Sequence, residues 1–193
     1  AYLEPLFNPQ SIAIVGASRD PKKWGFHLLL NVVKGGYGGR IYPVNAREKE
    51  ILGFKAYATV AQIPEAVDLV LLIVPPSDIL TVLEDCGKNG AKIGVVITAG
   101  FSEVSHEGRK LEEEMVRLAR SLGMRLVGPN CQGIVTIGSH RLYAHMPPQF
   151  PEPGPLGVVS QSGNLATSII ELANPLYLGF SRIISSGNEA DLQ

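Results

Sequence analysis

The chain has 193 residues, 45% of them hydrophobic and 18% charged, with 21 Gly and 14 Pro. That length holds one full domain and part of another, and the composition excludes an intrinsically disordered chain. Seventeen Lys and Arg against 18 Asp and Glu leave a net charge of −1, which excludes a global attraction to nucleic acid.

The first apolar run, Ile12–Val15, is continuous rather than alternating, as in a parallel strand buried on both faces. A helix is predicted from about Gly25 to Lys34, stopped by Gly35 and Gly36. Arg40–Val44 is the second strand, and Ile51–Gln62 fits neither period. Leu69–Val74 is the third. Ser77 is the expected N-cap of a helix carrying Ile79, Val82, Leu83 and Cys86, ended by Gly87–Gly90. Ile93–Thr98 is the fourth strand. A helix with the stripe Leu111, Met115, Leu118 and Leu122 carries Glu112, Glu113, Arg117 and Arg120 off that stripe. Arg125–Val127 is the fifth strand. Strand–helix alternation of this kind predicts an α/β fold, a right-handed doubly wound parallel sheet, over residues 1–133. Residues 134–155 carry Pro147, Pro148, Pro151, Pro153 and Pro155 and read as a stiff connector. The alternation restarts over residues 156–193, with strands at Leu156–Val159 and Phe180–Ile184 around a helix at Gly163–Ala173. This reads as the start of a second α/β domain.

Cys86 and Cys131 are the only cysteines and form no Cys-x-x-Cys, so no disulfide framework is expected. The apolar runs fall far short of the ~20 residues of a membrane span. No signal peptide is recognisable, and a cytoplasmic location is the expectation. None of His27, His106, His140 and His145 stands at a metal-ligand spacing or in a recognisable Ser-His-acid arrangement. Between Gly16 and Lys55 there are eight Lys or Arg and three acids, a local net charge of +5 that suits an anionic small molecule or a solvated surface.

Ligands on doubly wound sheets sit at the carboxyl ends of the strands. The first turn, Gly16-Ala17-Ser18-Arg19-Asp20-Pro21-Lys22-Lys23-Trp24-Gly25, leads from a strand into a helix. Free N–H groups and the helix dipole there hold phosphate; the alternative is an ordinary strand-to-helix turn. The turn is neither Gly-x-Gly-x-x-Gly nor a P-loop. The second strand ends Val44-Asn45-Ala46-Arg47, where an NAD site would carry an acid. A neutral amide followed by Arg suits a phosphorylated ribose, as in NADP or the 3′-phospho-ADP part of coenzyme A. Val74, Pro75 and Pro76 offer a flat apolar edge or a rigid turn. Thr98, Ala99 and Gly100 let a ligand approach the backbone. Asn130 and Cys131 are expected at the same rim, with no base or second thiol to activate Cys131. Ser160, Gln161, Ser162 and Gly163 form an oxyanion or phosphate cradle at a helix start, or a plain N-cap by Ser162.

Seven segments occur in order: SIAIVGAS, GGRIYPVN, ILGFKAY, VDLVLLIVPP, ITAGFSE, GPNCQGI and GVVSQSGNLATSI. Together they resemble the N-terminal part of the ADP-forming acetate–CoA ligases (acyl-CoA synthetases), relatives of the succinyl-CoA synthetase α subunit. The resemblance runs from about Ser11 to the C-terminus. It implies a Rossmann-like CoA-binding domain followed by a flavodoxin-like ligase domain. It implies that Gly16, Ala17, Ser18 and Lys23 meet the CoA phosphates and that Val44 and Asn45 lie near the adenosine. Val74, Pro75 and Pro76 would line the nucleotide or pantetheine. Thr98, Ala99 and Gly100 would line the pantetheine channel, with Asn130 and Cys131 near the thiol end. The Ser160–Gly163 turn would steady a phosphohistidine. In the family the phosphoryl group passes from an acyl phosphate to that histidine and then to ADP at an ATP-grasp unit. The histidine is expected downstream of SGNEADLQ, so no catalytic residue is assigned in this sequence and the chain alone is expected to bind CoA without completing the reaction. ATP, ADP and Mg would enter only through further domains. Expected partners are CoA, acyl-CoA and an ATP-grasp domain or β subunit, in a homo- or hetero-oligomer. Three alternatives stand beside this reading: a regulatory domain of a protein lysine acetyltransferase fusion, a non-enzymatic CoA-binding or redox-sensing protein, and an NADP-dependent oxidoreductase domain.

Overall fold

The structure is a computed structural model that describes residues 3–138 and 140–192. In chain order its elements are α1 (Glu4–Phe7), β1 (Ser11–Val15), α2 (Trp24–Lys34), β2 (Arg40–Val44), β3 (Glu50–Ile51), β4 (Phe54–Lys55), β5 (Leu69–Leu72), α3 (Ile79–Asn89), β6 (Ile93–Val96), α4 (His106–Ser121) and β7 (Arg125–Val127). These are followed by β8 (Gly133–Ile137), β9 (Arg141–His145), β10 (Pro153–Ser160), α5 (Gly163–Ala173) and β11 (Phe180–Ser185).

Five parallel strands form the first sheet in the order β2-β1-β5-β6-β7. Every residue of β1, β5 and β6 is buried, because both faces are covered. One face packs Ile12, Ile14, Leu69 and Leu71 against Leu28, Leu29 and Val32 of α2. The other packs Val15, Val70, Leu72 and Val96 against Leu83 of α3 and Met115 of α4. The predicted doubly wound sheet is what the chain forms. Its strand order reverses between β1 and β5, so their carboxyl ends diverge and open a crevice there.

Three readings need correction. The third and fourth strands stop two residues early, at Leu72 and Val96. The Thr98 hydroxyl takes over the pairing there, accepting from Val74 N at 3.1 Å and donating to Val74 O at 2.7 Å. Ser77 does not cap α3. Pro76 starts a 3-10 turn over Pro76–Asp78 and Asp78 occupies the cap position. Ser77 Oγ instead donates to Asp78 Oδ1. Gly90 does end α3, at φ +89.

The third correction is larger. Residues 134–155 are not a bare connector, because β8 and β9 form an antiparallel hairpin. The hairpin joins a second sheet of order β10-β11-β8-β9 in which β10 and β11 are parallel. The flavodoxin-like unit that begins here packs Ala166, Ile170 and Ala173 of α5 on Phe180 and Ile183. The hairpin alternates between two cores. Ile134, Leu142 and Ala144 pack with the first sheet and α2, while Val135 and Tyr143 pack with α5 and β11. Asn31 of α2 fixes the hairpin by donating from Nδ2 to His145 O at 2.8 Å.

Candidate functional site

The crevice at the switch point is an open cleft of about 460 Å³ lined by Val15, Gly16, Lys23, Val44, Asn45, Ala46, Arg47, Val74, Pro75 and Asp78, among others. It brings together the turns after β1, β2 and β5 that the sequence singled out. Gly16 sits at φ +93, a region that strongly favours glycine, and a β-carbon there would fall 1.9 Å from Ile73 O. The turn can therefore cross the strand end only with glycine. No side chain caps the first turn of α2. Lys23, at its N-cap position, and Arg47 bring positive charge to the cleft, and Val74 and Pro75 form an apolar wall. Positive charge, side-chain-free backbone and an apolar wall fit a phosphorylated ligand with a non-polar portion.

Asn45 does something the sequence did not reveal. Its Nδ2 donates to Ala17 O at 2.8 Å, and its Oδ1 accepts from Arg47 N at 2.8 Å and Glu48 N at 3.2 Å. The amide is committed to tying the β2 turn to the β1 turn. Ser18 is buried and its Oγ accepts from Asp20 N at 3.0 Å, which shapes the turn from within. Ala17 is wholly buried. Arg19 is an exposed side chain 3.5 Å from Glu48, and a second open cleft beside it is lined by Arg19, Arg47 and Lys49 together with Glu48, Glu50 and Leu52.

Along the rim, Gly100 adopts φ +111 and its N–H, with that of Phe101, is held by the Glu103 carboxylate. A β-carbon on Gly100 would lie 3.0 Å from Pro76 Cγ, so the β5 and β6 turns abut. Ala99 lies between Thr98 and Gly100 in that turn. Burial would raise the Glu103 pKa, but donors from Asn188, Gly100 and Phe101 outweigh it and hold the carboxyl below the usual range. Asn130 is exposed, at φ +57, and its N–H donates to Thr98 O at 2.9 Å. Cys131 faces inward, contrary to the expectation of a rim thiol. It is 5% exposed, its Sγ donates to Val96 O at 3.3 Å, and burial pushes its pKa up to about 12.

The Ser160–Gly163 turn meets the first sheet through Gln132, a residue sequence reasoning left unassigned. Gln132 Nε2 donates to Asn164 Oδ1 at 2.8 Å, its Oε1 accepts from Thr167 Oγ1 at 3.1 Å, and its N–H donates to Ser185 Oγ at 3.0 Å. A β-carbon on Gly163 would strike Gln132 Cγ at 2.3 Å, which explains the glycine. Ser162 caps α5, the alternative weighed beside an anion cradle, accepting from Leu165 N at 3.3 Å, and Ser160 Oγ donates to Ser162 O. Gln161 is exposed. Among the described residues no cluster of three or more His, Cys, Asp or Glu could hold a metal ion, and no helix is long and apolar enough to cross a membrane.

Fold and cleft define a doubly wound α/β domain with an open crevice, carrying Lys23 and Arg47, at its switch point. Residues 10–137 match the family described as the CoA binding domain, and residues 153–193 match the succinyl-CoA ligase like flavodoxin domain. The chain belongs to the CoA-binding domain family, and its cofactor is coenzyme A. It is 42% identical over 194 residues to the alpha subunit of ADP-forming acetate–CoA ligase I of Pyrococcus furiosus, covering 98% of this chain and 42% of that protein. It is 35% identical over 190 residues to an ADP-forming 4-hydroxybutyrate–CoA ligase of Nitrosopumilus maritimus, covering 96% of this chain and 27% of that one. The solved apo structure of the dinucleotide forming acetyl-coenzyme A synthetase 1 of Ca. Korarchaeum cryptofilum superposes with a TM-score of 0.94 at 43% identity, over 99% of this chain and 41% of that one. The chain thus spans about two fifths or less of the length of these relatives.

Proposed function

We propose that the chain is the CoA-binding portion of an ADP-forming acyl-CoA synthetase, an acid–thiol ligase that interconverts acyl-CoA, ADP and phosphate with carboxylic acid, CoA and ATP. The reading rests above all on one observation: Gly16, Lys23, Asn45, Arg47, Val74 and Pro75 line one cleft at the strand-order switch point. Gly16, Ala17, Ser18 and Lys23 form the turn that receives the CoA phosphates. Val44 and Asn45 border the adenosine, with Arg47 beside its phosphorylated ribose. The pantetheine arm runs along the rim past Val74, Pro75, Pro76, Thr98, Ala99 and Gly100 toward Asn130. From the β1 turn to the β7 turn is three interstrand steps, roughly 15 Å, which suits an extended arm. Cys131 supports the floor of that path and does not touch the thiol.

At the second cradle, Ser160–Gly163 presents the start of α5 toward an anion, and the proposed anion is a phosphohistidine supplied from outside these residues. The domains of this reading are a CoA-binding unit over residues 1–133 and a ligase-type unit that opens on the β8–β9 hairpin and continues through residues 156–193. An ATP-grasp domain or β subunit is the proposed partner and the cytoplasm the proposed location.

Calorimetric titration of the chain with CoA, dephospho-CoA and NADP tests the reading. CoA is expected to bind, more weakly without its 3′-phosphate, with little response to NADP. A preference for NADP overturns the assignment.

A further inference from the structure

Residues beyond β11 return to the first sheet. Asn188 N donates to Pro129 O at 2.9 Å, Ala190 N to Gly128 O at 3.1 Å and Leu192 N to Leu126 O at 3.1 Å. Sequence numbers rise on one side as they fall on the other, so this tail lies antiparallel along the free edge of β7 and covers it. Asp191 pins the tail. Its side chain is 0% exposed and accepts from Arg120 Nε and Arg125 Nε at 2.7 Å each and from Leu126 N at 2.8 Å.

The pinned tail delivers Asn188 to a point between two rim turns. Its Nδ2 lies 2.6 Å from Glu103 Oε2, 2.8 Å from Glu112 Oε2 and 3.1 Å from Ser102 Oγ. Its Oδ1 accepts from Asn130 Nδ2 at 3.2 Å. Glu103 in turn holds the N–H groups of Gly100 and Phe101. One amide from the ligase-type unit therefore joins the β6 turn to the β7 turn, the two turns of the rim farthest from the nucleotide cleft. The cleft at β1, β2 and β5 shares none of these bonds.

We propose that Asn188 is a positioning residue for the pantetheine end of the CoA site: it fixes the separation of Gly100 and Asn130 and leaves the nucleotide end untouched. The proposal rests on the CoA reading of the rim. It also makes the tail the link by which displacement of the second unit changes the grip on the thiol arm alone.

The test compares two ligands, CoA and adenosine 3′,5′-bisphosphate, which carries the nucleotide without the arm. Both are titrated calorimetrically into the wild-type chain, Asn188→Ala and Asn188→Asp. The aspartate keeps the size of the side chain but replaces its donor with an oxygen facing two carboxylates. The expected result is a five- to tenfold loss of CoA affinity, about the worth of the lost hydrogen bonds, with bisphosphate affinity unchanged within twofold. Equal losses for both ligands would make Asn188 a general support and overturn the proposal. Unchanged CoA affinity in either folded variant overturns it too. If the alanine variant does not fold, the aspartate variant decides. Failure of the wild type to bind either ligand overturns the underlying CoA reading, an outcome separate from any effect of Asn188.

Discussion

Gly25, on the first turn of α2, packs so closely on the β1 turn that a β-carbon there would fall 1.9 Å from Gly16 O and 3.2 Å from Ala17 Cα. Helix and strand end are therefore locked together by two glycines nine residues apart. Overpacking against backbone cannot be relieved by a rotamer change, so Gly25→Ala is expected to cost about 1–3 kcal/mol. For a chain of this size the unfolding midpoint should fall by about 2–4 °C per kcal/mol. CoA affinity should fall with it, because the turn must move. A variant with an unchanged melting curve would show that the packing is looser than described.

Lys23→Glu reverses charge at the start of α2, where the helix dipole already favours an anion. CoA affinity should drop by about five- to twentyfold, and the wild-type affinity should weaken as salt is raised. Calorimetry at two salt concentrations checks both. A folded variant that binds as well as wild type would remove Lys23 from the phosphate site.

Both thiols are out of reach in the folded chain. Burial pushes Cys86 and Cys131 up to about 12, so neither carries thiolate at pH 8. A thiol-directed reagent should leave the native chain unlabelled and modify both cysteines in denaturant. Cys131→Ser should leave CoA affinity nearly unchanged. Fast labelling of native Cys131, or a large loss of affinity on its replacement, would place the sulfur in contact with the ligand.

His145 is 1% exposed, and neither ring nitrogen makes a hydrogen bond of ordinary geometry, although the Pro147 backbone lies close enough to favour the protonated ring slightly. Burial pushes its pKa down to about 4, against about 6.5 in the unfolded chain. The unfolded state thus takes up the proton first as pH falls. The contribution of His145 to stability is complete above about pH 6.5 and is lost as pH drops toward 4. His145→Leu removes that titration, and the gap between melting midpoints at pH 8 and pH 5 should narrow. An equal gap in variant and wild type would show that the ring is solvated.

The doubly wound sheet was legible because its strands are apolar on both faces and its turns are punctuated by Gly, Pro and Asn. Gly16, Lys23, Val44, Val74 and Pro75 were legible as a set because topology alone sends strand ends to one rim. The role of Asn45 was not. Its value lies in reaching Ala17 O, and a contact between turns 28 residues apart leaves no periodic trace. Gln132 was missed for the same reason, since its partners Asn164, Thr167 and Ser185 lie far along the chain. The β8–β9 hairpin was hidden differently. Both its faces are buried, so the alternation that marks a half-exposed strand is absent, and the prolines after it dominate the composition of the segment.

The hairpin belongs to two cores at once, with Ile134, Leu142 and Ala144 in one and Val135 and Tyr143 in the other. Such a wall couples the melting of the two units. Loss of the second unit bares one side of the hairpin, and loss of the first bares the other, so neither intermediate keeps a complete hydrophobic layer. Thermal unfolding of the chain should therefore be a single cooperative step, with the two sheets lost together although each has its own strand order and its own helical cover.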